Sequence, residues 1–171
     1  MVLASLHSTN EVVAANLPVD LATTSWRTML RAVVPVTAGD LLDVSAWARV
    51  TNDVGYTVGV GWHLWAYDAD SGQGTAGPWW RISLSCGDNV DKTRHHMPLT
   101  ISTTYEVPAD WPEGHRIVVV LRADAHSTAW RKGDLLTVDP LGHLAVRRWT
   151  SPPAVEPAPA PEPVPEPAPA E

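Results

Sequence analysis

"YTVGVGWHLWAY", residues 56–67, decides the fold. Tyr56, Val58, Val60, Trp62, Leu64 and Ala66 share one side of an extended strand, and Thr57, Gly59, Gly61, His63, Trp65 and Tyr67 share the other, because strand side chains alternate between faces. The first set is the predicted core face. Glycine in a strand interior weakens it, so Gly59 and Gly61 on the second face predict a bulge, a bend or the close approach of another backbone.

The same period of two recurs outward from this segment. It is found in "WRTMLRAVV" (26–34), "LLDVSAWARV" (41–50), "WWRISLS" (79–85), "LTISTTYEV" (99–107), "HRIVVVLRADA" (115–125), "LLTVD" (135–139) and "HLAVRRW" (143–149). Between them stand turn signals: "AGD", "NDVG", "DADSGQG", "CGDN", "PADWPEG", "RKGD" and "PLG". No stretch shows an apolar stripe of helical period between a cap and a stop, apart from a short helical turn expected around "TNEVVAANL" (9–17). About eight strands spaced by turns predict an all-β chain, an antiparallel β-sandwich of jelly-roll type. "GDLLDV" (39–44) is echoed by "GDLLTV" (133–138), which predicts two sheet entrances built alike: glycine at positive φ, then an aspartate bonded to the local backbone.

A chain of 171 residues suits one well-buried domain. The last 21, "SPPAVEPAPAPEPVPEPAPAE", are nearly all Pro, Ala, Glu and Val, so the domain is expected over 1–150, with 151–171 an extended tail. Recurring proline removes donors and fixes φ, which rules out helix and sheet there. The plain reading of the tail is a solvated linker. The alternative is a docking arm presenting Pro157, Pro159, Pro161, Pro163, Pro165 and Pro167, with a reach of about 65 Å as polyproline II.

The formal charge of −7 is concentrated in that tail, which holds four glutamates and no base. The body has 15 acids against 12 bases, too even a balance for a DNA- or RNA-binding footprint. Cys86 stands alone, which excludes an internal disulfide and a cysteine-based zinc cluster, and reads as a small buried hydrophobe. "IVVVL" (117–121), the longest apolar run, is far short of a membrane helix, and the N-terminus lacks the basic start and apolar stretch of a secretory signal.

The candidate chemistry is sparse. His95 and His96 are adjacent, so on a strand they point to opposite faces and cannot share an ion, and His63, His115, His126 and His143 show no short metal-ligand spacing. "DADSGQG" begins like a calcium loop but has Gly72 at its fifth position and Trp79 at its twelfth, so a solvated hairpin is the simpler reading. "RADAHST" sets Asp124 and His126 on one face with Ser127 next to them, yet without a nucleophile elbow. No phosphate or dinucleotide loop occurs. The expectation is therefore no catalytic, cofactor-binding or metal residue.

Tryptophan, nine times present while phenylalanine is absent, carries more information. Trp47 and Trp62 are read as core residues, Trp65 lies on the opposite face with His63, and Trp79 and Trp80 must split between faces. Trp65, Trp79, Trp80, His95 and His96 are the candidate interface or ligand contacts, with subunit packing preferred to stacking on sugar rings. Ten arginines against two lysines fit a G+C-rich genome.

From "SWRTMLRAVVPVTAGDLLDVSAWARVTN" through "HHMPLTISTTYEVPADWPEGHRIVVVLRADAHSTAW" to "GDLLTVDPLGHLAVRRW", most of residues 20–149 resembles the small jelly-roll virion accessory proteins of tailed actinobacterial phages. The resemblance implies a non-enzymatic capsid decoration or minor capsid protein. It would form a homo-oligomer, a trimer, on the major capsid protein lattice, located at the virion surface and made in the host cytoplasm. It implies no cofactor, no direct contact with nucleic acid and no membrane. The alternative is a tail-associated receptor- or glycan-binding module whose partner is a host glycan.

Overall fold

The computed structural model describes residues 6–12, 17–20, 26–71, 80–92, 97–129 and 131–150, with the backbone alone for 6–12, 17–20 and Trp80. The tail and its prolines, Trp79, His95 and His96 lie outside the described residues. The described residues form strands and turns, with no helix among them.

Ten strands follow in order: β1 (Leu6–Val12), β2 (Leu17–Asp20), β3 (Arg27–Pro35), β4 (Leu41–Thr51), β5 (Val58–Asp68), β6 (Trp80–Val90), β7 (Met97–Glu106), β8 (Arg116–His126), β9 (Leu135–Val138) and β10 (His143–Trp149). They make eight lines. β1 on β10 and β2 on β9 keep one register, from Leu6↔Trp149 through Val12↔His143 to Leu17↔Val138 and Asp20↔Leu135. Both β10 and β9 also lie along β4, at His143↔Trp47 and Val50↔Val138. β1 with β2, and β9 with β10, are thus two interrupted lines.

The first sheet, sheet I, reads β1/β2, β10/β9, β4, β7, and the second, sheet II, reads β3, β8, β5, β6, every neighbour antiparallel. Consecutive lines alternate between sheets, except β5 and β6, which pair within sheet II, in the manner of a jelly roll, and the predicted β-sandwich is what the chain forms. "TNEVVAANL" holds no helical turn among its described residues. Thr9 to Val12 belong to β1 and Leu17 opens β2, because pairing with β10 and β9 supplies the hydrogen bonds that a local helix would otherwise provide.

One interruption is visible in detail. Between β9 and β10, Leu141 adopts φ 75°, and a side chain on Gly142 would meet Ala48 Cβ at 2.9 Å and the Trp47 carbonyl oxygen at 3.2 Å. The chain pinches against β4 here, so glycine is required, and the Asp139 N–H donates to the Arg49 carbonyl at 2.9 Å to keep the line attached.

The core lies between the sheets. Leu42, Val44, Ala46, Ala48 and Val50 of β4 face inward, in one cluster with Val58, Val60, Trp62, Leu64 and Ala66 of β5 and Ile117, Val119 and Leu121 of β8. Trp62 is a core residue as expected. Trp47 is not: it shares its side of β4 with Asp43, Ser45 and Arg49, all half-buried, and the inward positions beside it are alanines. The alternation set by the polar neighbours outweighs the hydrophobicity of one ring.

The two echoed entrances are alike. Thr37 N–H donates to Asp40 Oδ2 (2.6 Å) while Asp40 N–H donates to the Thr37 carbonyl (3.0 Å), with Gly39 at φ 80°. Arg131 N–H donates to Asp134 Oδ2 (2.8 Å) while Asp134 N–H donates to the Arg131 carbonyl (3.0 Å), with Gly133 at φ 95°. Each aspartate then takes a long-range partner, Arg148 Nε for Asp40 (2.6 Å) and the Tyr56 hydroxyl for Asp134. The Tyr56 hydroxyl lowers the Asp134 pKa, while burial and that same hydrogen bond raise the pKa of Tyr56. Fully buried Asn52 closes the turn between β4 and β5. Its Nδ2 donates to the carbonyls of Tyr56 (2.7 Å) and Val90 (2.9 Å), and Val54 N–H donates to its Oδ1 (3.1 Å).

Candidate functional site

The outer face of sheet II is where strand register gathers polar chemistry. Rows across β8, β5 and β6 read Val120–Trp65–Ser83, Arg122–His63–Ser85, Asp124–Gly61–Gly87 and His126–Gly59–Asn89. The face changes character along them. At one end Trp65, 3% exposed, joins buried Val118 and Val120 in a small second cluster. The Trp26 ring closes over it edge-on at 4.2 Å, and the Arg122 guanidinium sits 4.5 Å above the Trp65 ring. Trp65 is therefore a covered residue, and the aromatic surface that this end offers is that of Trp26, 45% exposed.

In the next row, His63 Nε2 lies 2.8 Å from Asp124 Oδ1 and His63 Nδ1 lies 2.8 Å from Ser85 Oγ. With a neutral ring, Nε2–H donates to the carboxylate and Nδ1 accepts the serine proton, since an ionised carboxylate only accepts. Trp26 packs on this imidazole as well, with ring centres 5.0 Å apart.

Beyond the row the surface sinks into a groove of about 370 Å³, lined along β5 and β6 by Gly59, Gly61, Gly87 and Asn89 and along β8 by Asp124 and His126, with His63 at its end. That volume falls at the small end of the roughly 300–1,000 Å³ spanned by small-molecule pockets. The floor glycines and the wall are one device. A side chain on Gly59 would come within 2.5 Å of the His126 ring, and one on Gly61 within 2.2 Å of Asp124 Oδ1 and 3.0 Å of His63 Nε2. What approaches the glycines of β5 is side chains of β8 lying flat across it, not a second backbone. Each strand-interior glycine costs about 0.5–1 kcal/mol relative to alanine, and here that cost makes room for the His126 ring and the Asp124 carboxylate over β5.

Among the described residues the His126 ring and the Asn89 amide have no hydrogen-bond partner in the protein, and Asp88 accepts only from the Asn89 N–H (2.7 Å). The His126 and Asn89 side chains are exposed at the groove.

Carboxylate, imidazole and hydroxyl in a row are also the parts of a serine hydrolase. Ser85, however, stands within a strand whose backbone N–H groups lie in the sheet plane, so none of them points into the space above its Oγ where an oxyanion would form. The row fixes side chains in place. Ser127, the hydroxyl that the sequence set beside Asp124 and His126, instead donates to the Thr57 carbonyl (3.2 Å) and accepts from Ala129 N–H (3.2 Å).

The other candidates are dispersed. Asp68 and Asp70 are committed to β8: His115 Nδ1 lies 2.8 Å from Asp68 Oδ2, and Arg116 Nε (3.1 Å) and Nη2 (2.6 Å) clamp the Asp70 carboxylate. His143 stacks on Trp47 at 5.8 Å. Among the described residues, no three His, Cys, Asp or Glu side chains are grouped to hold a metal ion. Cys86 is half-buried opposite Trp62, and burial pushes its thiol pKa up, away from nucleophilic use. Trp80 begins β6 opposite Tyr67.

His63 and Ser85 are the site residues that sequence reading did not bring together. Their outward phase was legible, but their meeting depends on β5 lying between β6 and β8.

No family model matches the chain, and no curated protein matches it. Solved structures do. A chain from the structure of infectious bursal disease virus, Gt strain, superposes over 85% of this chain with TM-score 0.55 at 15% identity. A Gx-strain chain gives TM-score 0.57 at 13% identity over the same 85%. The VP2 subviral particle of that virus gives TM-score 0.56 at 11% identity. In each case this chain spans 33% of the length of the viral one. At these identities the likeness is one of fold: the sandwich shares its architecture with a domain-sized part of chains from a virus particle.

Proposed function

We propose that this protein is a non-enzymatic structural component of a virus particle, a decoration or minor capsid protein that binds and stabilises the major capsid lattice as a trimer. The observation that carries the reading is the jelly-roll order, superposing over 85% of the chain on chains of infectious bursal disease virus particles. The sequence resemblance to accessory proteins of tailed actinobacterial phages narrows it to that kind of particle.

The outer face of sheet I supports a packing role. Pairing of β4 with β7 and β10 sets Ser45, Thr100, Ser102, Thr104 and Ala145 side by side, a flat surface of short side chains bordered by the stacked Trp47 and His143. Short side chains lose little rotamer freedom on burial, which suits repeated subunit contact. The prolines from Pro157 to Pro167 are proposed as an arm along the shell, and Trp79, Trp80, His95 and His96 as further contacts.

Light scattering is expected to give a trimer, and the protein is expected to bind purified phage capsids lacking their accessory protein. A monomer indifferent to such capsids would overturn the reading. The alternative, a glycan-binding tail module, draws on a different observation, the polar groove beside Trp26.

A further inference from the structure

We infer that the glycine-floored groove of sheet II is a binding site for one ring of a neutral saccharide, with Trp26 taking a neighbouring ring of a longer chain. Three observations lead there. The base is shallow because Gly59, Gly61 and Gly87 carry no side chains on two registered rows, which lets the His126 ring and the Asp124 carboxylate settle over β5 and leaves a low surface suited to the C–H face of a pyranose. The polar atoms stand around it: Asp124, His126 and Asn89 combine acceptors with donors, as the hydroxyls at the edge of a sugar ring require. The His126 ring and the Asn89 amide have no partner of their own among the described residues, while Asp124 is held in place by His63, itself braced by Ser85 and Trp26.

The same chemistry argues against other ligands. The Asp124 carboxylate in the lining disfavours a phosphate or carboxylate ligand. A metal ion would need a third ligand that the described residues do not supply. A simple ammonium group would find the Asp124 carboxylate already engaged by His63 Nε2 at 2.8 Å. The half-exposed Trp26 ring next to His63 offers the stacking surface that a second sugar would use.

The inference concerns the protein alone, so its test is independent of any binding to particles. Purified protein is titrated with glucose, galactose, mannose, N-acetylglucosamine and their disaccharides, following tryptophan fluorescence and calorimetric heat. Saturable binding of at least one sugar is expected, with a disaccharide tighter than its monosaccharide. Gly61→Val fills the floor and displaces Asp124, and is expected to abolish binding. Asn89→Ala removes a single rim amide on an exposed side chain and should weaken binding about threefold to tenfold in a folded protein. Trp26→Ala should erase the disaccharide advantage, and weaken the monosaccharide less, through the loss of its packing on His63. Failure of every sugar to saturate the folded wild type would overturn the inference. So would saturation by lysine amide or spermidine in place of sugar, or full-strength binding by folded Asn89→Ala and Gly61→Val together.

Discussion

The outward positions of β4 and of β5 begin from the same arrangement, alternate residues turned away from a shared core, and end differently. On β4 they include Asp43, Ser45, Trp47 and Arg49, all half-buried, and among the described residues the Trp47 ring meets the His143 ring and the Arg49 guanidinium, 5.9 Å from its centre. On β5, Trp65 is buried beneath Trp26 and Arg122, and two of the outward positions beyond it, Gly61 and Gly59, have no side chain at all. Sheet II thus passes, within one strand, from an added aromatic layer to glycines overlain by the His126 ring and the Asp124 carboxylate of β8. The step between them is the groove. An outer sheet face is therefore not a uniform surface: a second small core can form on it, and depth arises where that core stops.

The sharpest way to break this comparison is to truncate the two outward tryptophans. Trp65→Ala should cost about 3–5 kcal/mol, as for a large core aromatic, because it empties the second cluster under Trp26. Trp47→Ala should cost about 1 kcal/mol or less, since its ring is half in water already. Urea unfolding of both variants measures the difference, and equal costs would mean that the two faces are equivalent after all.

Adjacent arginines on β10 sharpen the contrast at the edge of sheet I. Arg148 Nε reaches the buried Asp40 carboxylate at 2.6 Å and its Nη2 donates to Thr37 Oγ1 at 3.0 Å, so it locks the entrance to β4. Arg147 meets Asp43 at 3.5 Å with both side chains largely in solvent. Arg148→Ala should cost about 2–4 kcal/mol, leaving a buried carboxylate short of its countercharge. Arg147→Ala should stay within about 0.5 kcal/mol, the ordinary value of an exposed pair. Chemical denaturation of the two single variants is the check, and the order of the two costs is the part that must hold.

Much of this was readable from the chain. Alternation located eight of the strands, and the two "GDLL" turns behave as their glycine and aspartate dictate. Trp47 was misplaced although its strand neighbours Asp43, Ser45 and Arg49 already gave the correct phase. β1 and β2 were missed because "TNEVV" has no strong preference of its own, and its conformation is decided by β10, more than a hundred residues away. The glycines of β5 were legible as an anomaly, but their partners were not. That Asp124 and His126 lie across them, and that Ser85 meets His63, follows from strand order, which is set by the closure of the whole sandwich rather than by any local window.

A smaller effect is expected at the pinch between β9 and β10. Leu141 is 68% exposed and held at φ 75°, a backbone region that costs an L-residue about 1–2 kcal/mol. Leu141→Gly relieves this, and glycine's greater freedom when unfolded returns part of the gain. A net stabilisation of about 0.5–1 kcal/mol is expected in thermal unfolding. A loss would show that the leucine side chain packs against something in the folded particle or in a second subunit.

The mildest test compares carboxylates at the ends of the two sheets. Asp40 is enclosed by Arg148 and its own turn, whereas Asp70 meets Arg116 at the surface end of β5 and β8. Hydrogen bonds from the Arg116 side chain, then from its backbone N–H, hold the Asp70 pKa down at about 2, against an ordinary value of 3.8. A carboxyl whose folded pKa lies below its unfolded one binds fewer protons when folded, so its stabilising contribution is complete above roughly pH 4. That contribution fades as pH falls and is gone once the folded pKa has been passed near 2. Asp70→Asn removes the titration while keeping the shape. Melting temperatures of wild type and variant should therefore converge between pH 4 and pH 2, with the wild type the more stable at neutral pH by a small margin, because the pair is open to water. Parallel curves through that range would place the acid sensitivity elsewhere than in the Asp70–Arg116 pair.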